Sequence, residues 1–194
     1  MLTVLWVPAG LSAGQTIVVV GDSLSSGYGL TAEQSWVTML QNRLQGEGYG
    51  YEVVNASIAG DTSAGGLARL PRLLAAHEPE WIVIELGGND GLRGQPVASL
   101  RDNLTQMIQL SRQHGARVVL TGIQIPPNYG PAYTRALAAV YPELAAQFDI
   151  PLVPFLLDGV ALRSELMQQD HIHPNAEGQK VLFENVWQVL ASLL

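Results

Sequence analysis

Five short apolar runs punctuate the chain and constrain its fold most: "TIVVV" (16–20), "YEVVNAS" (51–57), "WIVIELG" (81–87), "ARVVLTG" (116–122) and "IPLVPF" (150–155). They are rich in β-branched residues and continuous instead of alternating, the pattern of strands buried on both faces of a parallel sheet. Helical periods separate them. Trp36, Met39, Leu40 and Leu44 share one face before "GEG" ends that helix. Val97, Leu100, Leu104 and Ile108 repeat the pattern after Pro96, with Gly115 as the stop. A last amphipathic helix begins near Asn175 and carries Val181, Leu182, Val186, Val189, Leu190 and Leu193. Pro71 and Pro142 fall inside two further helical stretches, where each should kink or restart the helix. The alternation predicts an α/β fold, a three-layer sandwich around a parallel sheet of about five strands.

Composition narrows the function. The 194 residues suit one domain with a full core, 47% of them apolar and 14% charged. A net charge of −7 with a single lysine, Lys180, argues against nucleic acid or an anionic membrane surface as the main partner. With no cysteine, disulfides, thiolate metal sites and a thiol nucleophile are excluded. Any nucleophile is an oxygen or a nitrogen. The segment 1–14, "MLTVLWVPAGLSAG", is apolar and ends in small residues, like the remnant of a secretory signal. No basic residue precedes Arg43, so an N-terminal strand or arm is the alternative. No stretch is long enough to span a bilayer.

In sheets of this kind ligands bind beyond the carboxyl ends of the strands. Those exits read "GDSLS", "IAGDTS", "GGNDG" and "IPPNYG". Ser23 in the first is either a capping serine or a nucleophile, and a nucleophile needs a base, an orienter for the base and oxyanion donors. His77 and His114 lie at helix ends before strands, on the wrong side of the sheet but where the helix dipole favours them. His171 and His173 lie in "QQDHIHPNAEG", just before the last helix. Asp170 and His173 are three apart across a Pro-terminated turn. That spacing lets the carboxylate accept the imidazole Nδ1–H and leaves Nε2 for a serine proton; by itself it fits a capping Asp beside a surface His equally well. Three donors tip the balance: the Asn89 amide in "GGND", the N–H of Gly60 in "AGD", where no Cβ obstructs a ligand, and the N–H of Ser23.

"GDSLS", Gly60, Asn89 and the Asp-x-x-His-Pro of "DHIHP" resemble, in order, the blocks of the SGNH (GDSL) hydrolases. "NASIAGDTSAGGLARLP", "ELGGNDGLRG" and "PPNYG" are most similar to the bacterial periplasmic thioesterase I, lysophospholipase and arylesterase branch, across nearly all of the chain after Gln15. The resemblance implies a flavodoxin-like sandwich and hydrolysis of acyl esters and thioesters without a cofactor. By position it implies Ser23 as nucleophile, His173 as base, Asp170 as its orienter, and Ser23, Gly60 and Asn89 as the oxyanion hole. It further implies a periplasmic or secreted monomer acting on a small-molecule ester, with no stable membrane insertion. One position departs from the family: His171 stands where a glycine is usual, and it carries strain if the turn needs a positive φ.

The substrate crevice is expected to be lined by Asp22 and Leu24 beside the nucleophile, by Asp90, Gly91, Leu92 and Arg93 after the third strand, and by Pro126 and Tyr129 after the fourth. Gly91 and Gly94 bracket Leu92 and Arg93 and would permit a hinge, with Pro96 fixing the far end. Rival readings exist. "GLSAG" (10–14) fits the G-x-S-x-G elbow, but Ser12 precedes a strand where the elbow must follow one. The first exit could instead cradle the phosphate of a flavin in a binding module. Asp170, His171 and His173 could hold a metal, although no fourth ligand is evident.

Overall fold

The computed structural model describes residues 15–194; the signal-like segment and Ser12 lie outside them. Strands β1 (Gln15–Gly21), β2 (Tyr51–Asn55), β3 (Trp81–Glu85), β4 (Arg117–Thr121) and β5 (Leu152–Val153) form one parallel sheet in the order β2-β1-β3-β4-β5. Ile17 to Val20 and Ile82 to Ile84 are fully buried, as their uninterrupted apolar character requires. Among the described residues, seven α-helices complete the sandwich: α1 (Ser23–Ser26), α2 (Trp36–Gly46), α3 (Ser63–His77), α4 (Gly88–Leu92), α5 (Val97–Gln113), α6 (Pro131–Phe148) and α7 (Ala176–Leu190). α2 packs on α7, while α3 packs on α5 and α5 on α6, giving one helical layer on each side of the sheet. No described helix is long and apolar enough to cross a membrane.

Side-chain caps set several helix starts. Ser35 accepts the Val37 N–H, Thr62 the Gly65 N–H, and Asn175 those of Glu177 and Gly178. His77 ends α3, and His114 caps α5 with Nδ1 2.9 Å from the Leu110 carbonyl. Neither proline restarts its helix: α3 runs through Pro71 and α6 through Pro142. Both lie on exposed positions, where water can hydrate the carbonyl that each leaves without a donor. β5 is shorter than its apolar run because Pro151 and Pro154 flank it on an edge strand.

The chain moves one way from β1 to β2 and the other way to β3. That reversal opens a crevice beyond the carboxyl end of β1, between the exits of β2 and β3.

Candidate active site

Ser23 is the first residue of α1, immediately past the end of β1. Asp22 caps this single turn by accepting the Leu24 N–H at 3.0 Å, and Gly27 ends it in the left-handed region at φ 75°. His173 Nε2 lies 2.8 Å from Ser23 Oγ, and His173 Nδ1 lies 2.7 Å from Asp170 Oδ2. The other carboxylate oxygen of Asp170 accepts the N–H groups of Ile172 and His173, each at 3.0 Å. One carboxylate thus shapes the turn and orients the ring. Its slight burial works against ionisation, but the His173 ring and the two backbone N–H groups outweigh it and hold the carboxyl down at about 2. His171 adopts φ 55°, so a side chain occupies the left-handed position where a glycine would sit without strain.

Asn89 comes from α4, entered through Gly87 at φ 119°, where an added Cβ would lie 2.1 Å from the Tyr141 hydroxyl. Asn89 Nδ2 donates one hydrogen to Asp22 Oδ2 at 2.9 Å, which leaves its second amide hydrogen for a ligand. Gly60 adopts φ 80°; its carbonyl accepts a bond from Arg93 at 2.8 Å, and its N–H is engaged by no described residue. Asp22 is 2% exposed. Burial pushes its carboxyl up to about 6, against the Leu24 N–H, the Asn89 amide and the charge of His173 that favour ionisation, while Asp61 adds to the rise.

The expected lining residues divide. Leu92 is half-buried, and Arg93, Pro126 and Tyr129 are exposed. The Tyr129 hydroxyl donates to the Leu92 carbonyl at 3.0 Å, and the Tyr133 hydroxyl donates to that of Gln95 at 2.6 Å. With Arg93 on Gly60, the segment 92–95 is pinned from two sides. Gly91 is closely packed: an added Cβ would lie 2.7 Å from both Ile125 and Leu137. Asp90 is buried and accepts the Ser63 N–H at 2.8 Å and its hydroxyl, so it braces α4 against the start of α3. Leu24 packs into the core at 7% exposure, and the Asp22 carboxylate is occupied by protein donors. Asp90, Gly91, Leu24 and Asp22 are therefore buried and engaged by neighbouring protein groups.

Several contacts escaped the sequence. The Tyr28 ring lies 4.6 Å from that of His173. Gln168 Nε2 donates to the carbonyls of Tyr28 and Pro174, tying that ring to the His173 turn. Gln179 of α7 accepts the Trp36 N–H at 2.8 Å and donates to the Leu24 carbonyl at 3.2 Å. A buried Gln on an apolar helix face was the signal available for this last one.

The rival readings find little support. An anion cradle would have to form around the buried carboxyl of Asp22, which already takes the Leu24 N–H. The described residues contain no group of three or more His, Cys, Asp or Glu side chains arranged to hold a metal.

Residues 19–181 match the GDSL-like lipase/acylhydrolase family. Esterase TesA of Pseudomonas aeruginosa is 57% identical over 183 residues, covering 94% of this chain and 91% of that one. Thioesterase 1/protease 1/lysophospholipase L1 of Escherichia coli K12 is 46% identical over 168 residues, covering 87% and 79%. A crystal structure of TesA superposes with a TM-score of 0.90 at 58% identity, covering 93% of this chain and all of the other. The chain belongs to the GDSL-like lipase/acylhydrolase family.

Proposed function

We propose that the chain is a serine esterase that hydrolyses acyl esters and thioesters through an acyl-enzyme formed on Ser23. The observation that carries this is the unbroken path from the Asp170 carboxylate through the His173 ring to Ser23 Oγ, at 2.7 and 2.8 Å. His173 Nε2 takes the hydroxyl proton as Oγ attacks the acyl carbon. The oxygen that becomes negative is held by the N–H groups of Ser23 and Gly60 and by the free amide hydrogen of Asn89, each such donor lowering the barrier by roughly 3 kcal/mol. The C–O or C–S bond then breaks and the alcohol or thiol leaves with the proton from His173. Water, deprotonated by the same nitrogen, attacks the acyl-enzyme and releases the carboxylic acid. Asp170 keeps Nδ1 protonated and stabilises the imidazolium formed at each step. No cofactor enters this scheme. Its relatives, named an esterase and a thioesterase/lysophospholipase, support an acyl ester or thioester as the substrate class. We also place the enzyme in the periplasm or outside the cell, as a monomer; fractionation of the native host and light scattering test both.

A fluorophosphonate probe is expected to modify Ser23 and no other serine. Ser23→Ala is expected to lose about three orders of magnitude or more in kcat. Labelling elsewhere, or an active Ser23→Ala enzyme, would overturn the assignment.

A further inference from the structure

The β1–β3 ladder ends at the pair Gly21 and Glu85, and beyond it the two exits part. There the Glu85 side chain, fully buried, turns beneath the first exit. Its Oε2 accepts the backbone N–H of Asp22 at 3.2 Å and the hydroxyl of Ser25 at 2.7 Å. Ser25 Oγ in turn accepts the indole N–H of Trp36 at 3.2 Å. A Cβ on Gly21 would lie 2.6 Å from the same carboxyl oxygen, so only glycine admits the carboxyl here. Glu85 Oε1 has no partner among the described residues. Asp22 and Ser25, which flank Ser23 in the turn, are therefore both anchored on one buried side chain of the neighbouring strand, and through Ser25 on α2.

We propose that Glu85 is a positioning residue for the hydrolysis, holding the Asp22–Ser25 turn so that Ser23 Oγ stays within reach of His173. This rests on the assignment of Ser23 as nucleophile. The titratable groups around Glu85 are Asp22 at the β1 exit and Tyr141 of α6, whose hydroxyl donates to the Leu86 carbonyl; His173 and Asp61 face Asp22 from beyond. Complete burial, with Asp22 adding to it, pushes the Glu85 carboxyl well above the usual carboxylate range. Burial thus favours the neutral acid over the carboxylate, and Oε1, which has no partner among the described residues, is the oxygen open to the proton, because an unpartnered O–H costs far less in the interior than an unpaired charge. Neutrality matters to the chemistry. A second carboxylate beside Asp22 would oppose the negative charge that develops on the acyl oxygen. A neutral acid supplies the two acceptor contacts without that field.

The test compares Glu85→Gln with Glu85→Ala on a p-nitrophenyl ester. The glutamine keeps an acceptor under the turn and is expected to stay within about 3-fold of the parent kcat, with the same pH–rate profile. The alanine leaves two donors unpaired and frees the turn; kcat is expected to fall about 10- to 100-fold with KM little changed, and fluorophosphonate labelling of Ser23 to slow in step. Leu104→Ala, a core substitution in α5, controls for lost stability and is expected to leave kcat near the parent value at a temperature where it remains folded. If Glu85→Ala does not fold, Ser25→Ala removes one of the two contacts and is expected to show a smaller loss of the same kind. Parent kcat in Glu85→Ala, or in Ser25→Ala where the former does not fold, overturns the proposal while Ser23 labelling still stands. An equal loss in Glu85→Gln, or a shifted pH profile there, overturns the neutral-acid role. Failure of Ser23 to label in the parent protein refutes the underlying assignment instead.

Discussion

At the scale of single residues, two carboxyl groups with opposite shifts divide the work. Asp170 lies at the surface and is held ionised by three hydrogen bonds to one turn, so its shape and its charge serve the same end. Asp22 is buried, and its carboxyl is raised to about 6 from an ordinary value of 3.8. The native state therefore binds this proton more tightly than the unfolded chain. The sign follows: the contribution of Asp22 to stability is full below pH 3.8 and declines as pH rises through about 6, by an amount on the order of 3 kcal/mol. What the fold gains is a two-oxygen acceptor for both the Leu24 N–H and the Asn89 amide. An asparagine offers one acceptor oxygen, so it must abandon one of these donors. Asp22→Asn is therefore expected to lose less stability than the parent between about pH 4 and pH 7, and yet to lose about 10-fold or more in kcat as Asn89 loses its fixed direction. Thermal melts at the two pH values with kinetics at the upper one check both halves. A parent-like pH slope, or parent activity, would refute this account of Asp22.

At the scale of elements, the crevice wall we propose at residues 92–95 separates two effects that a single loop could confuse. Arg93 holds the carbonyl of Gly60, whose own N–H is one of the oxyanion donors we propose. Leu92 belongs to the wall itself, with its carbonyl pinned by Tyr129. Arg93→Ala is expected to lower kcat by up to about 10-fold, equally for acetyl and decanoyl esters, because it acts on a donor that every substrate uses. Leu92→Ala is expected to reduce kcat/KM for decanoyl esters while sparing acetyl esters, each methylene that loses its cover forfeiting roughly 0.8 kcal/mol at most. Ester series of graded length distinguish the two; identical chain-length profiles would refute the division. The elements themselves were largely legible, because uninterrupted runs such as "TIVVV" and "WIVIE" have few alternatives to a buried parallel strand. The polar residues at the strand exits were equally visible, since structural loops have no need of Asn89 or Ser23 there. What the sequence could not convey is direction. Asp90 sits beside Asn89 in "GGND" but faces Ser63, and Gly91 reads as a hinge although Ile125 and Leu137 close upon it. Glu85 closes an apolar strand, where a single acid reads as a strand end until the fold places it beneath β1.

At the scale of the whole molecule, three strand exits and the turn before α7 meet at one crevice in a chain that carries a net charge of −7 and a single lysine. The field of such a surface extends about 30 Å at 10 mM salt and about 8 Å near physiological ionic strength. An acyl-CoA brings several phosphate charges into that field, whereas a p-nitrophenyl ester of the same acyl chain brings none. In the proposed mechanism the two substrates share the acyl group, Ser23 and the oxyanion donors, so long-range repulsion is the term in which salt separates them. Raising ionic strength from about 10 mM to about 200 mM is expected to increase kcat/KM for the acyl-CoA several-fold and to leave the neutral ester within about 2-fold. The gain should appear chiefly in KM, since screening acts on encounter and leaves the positioned groups untouched. A fall in acyl-CoA turnover with salt would mean instead that a local site, such as the groove beside the β2 exit that holds Arg72 and the Asp61-paired Arg69, captures the phosphates against the net field.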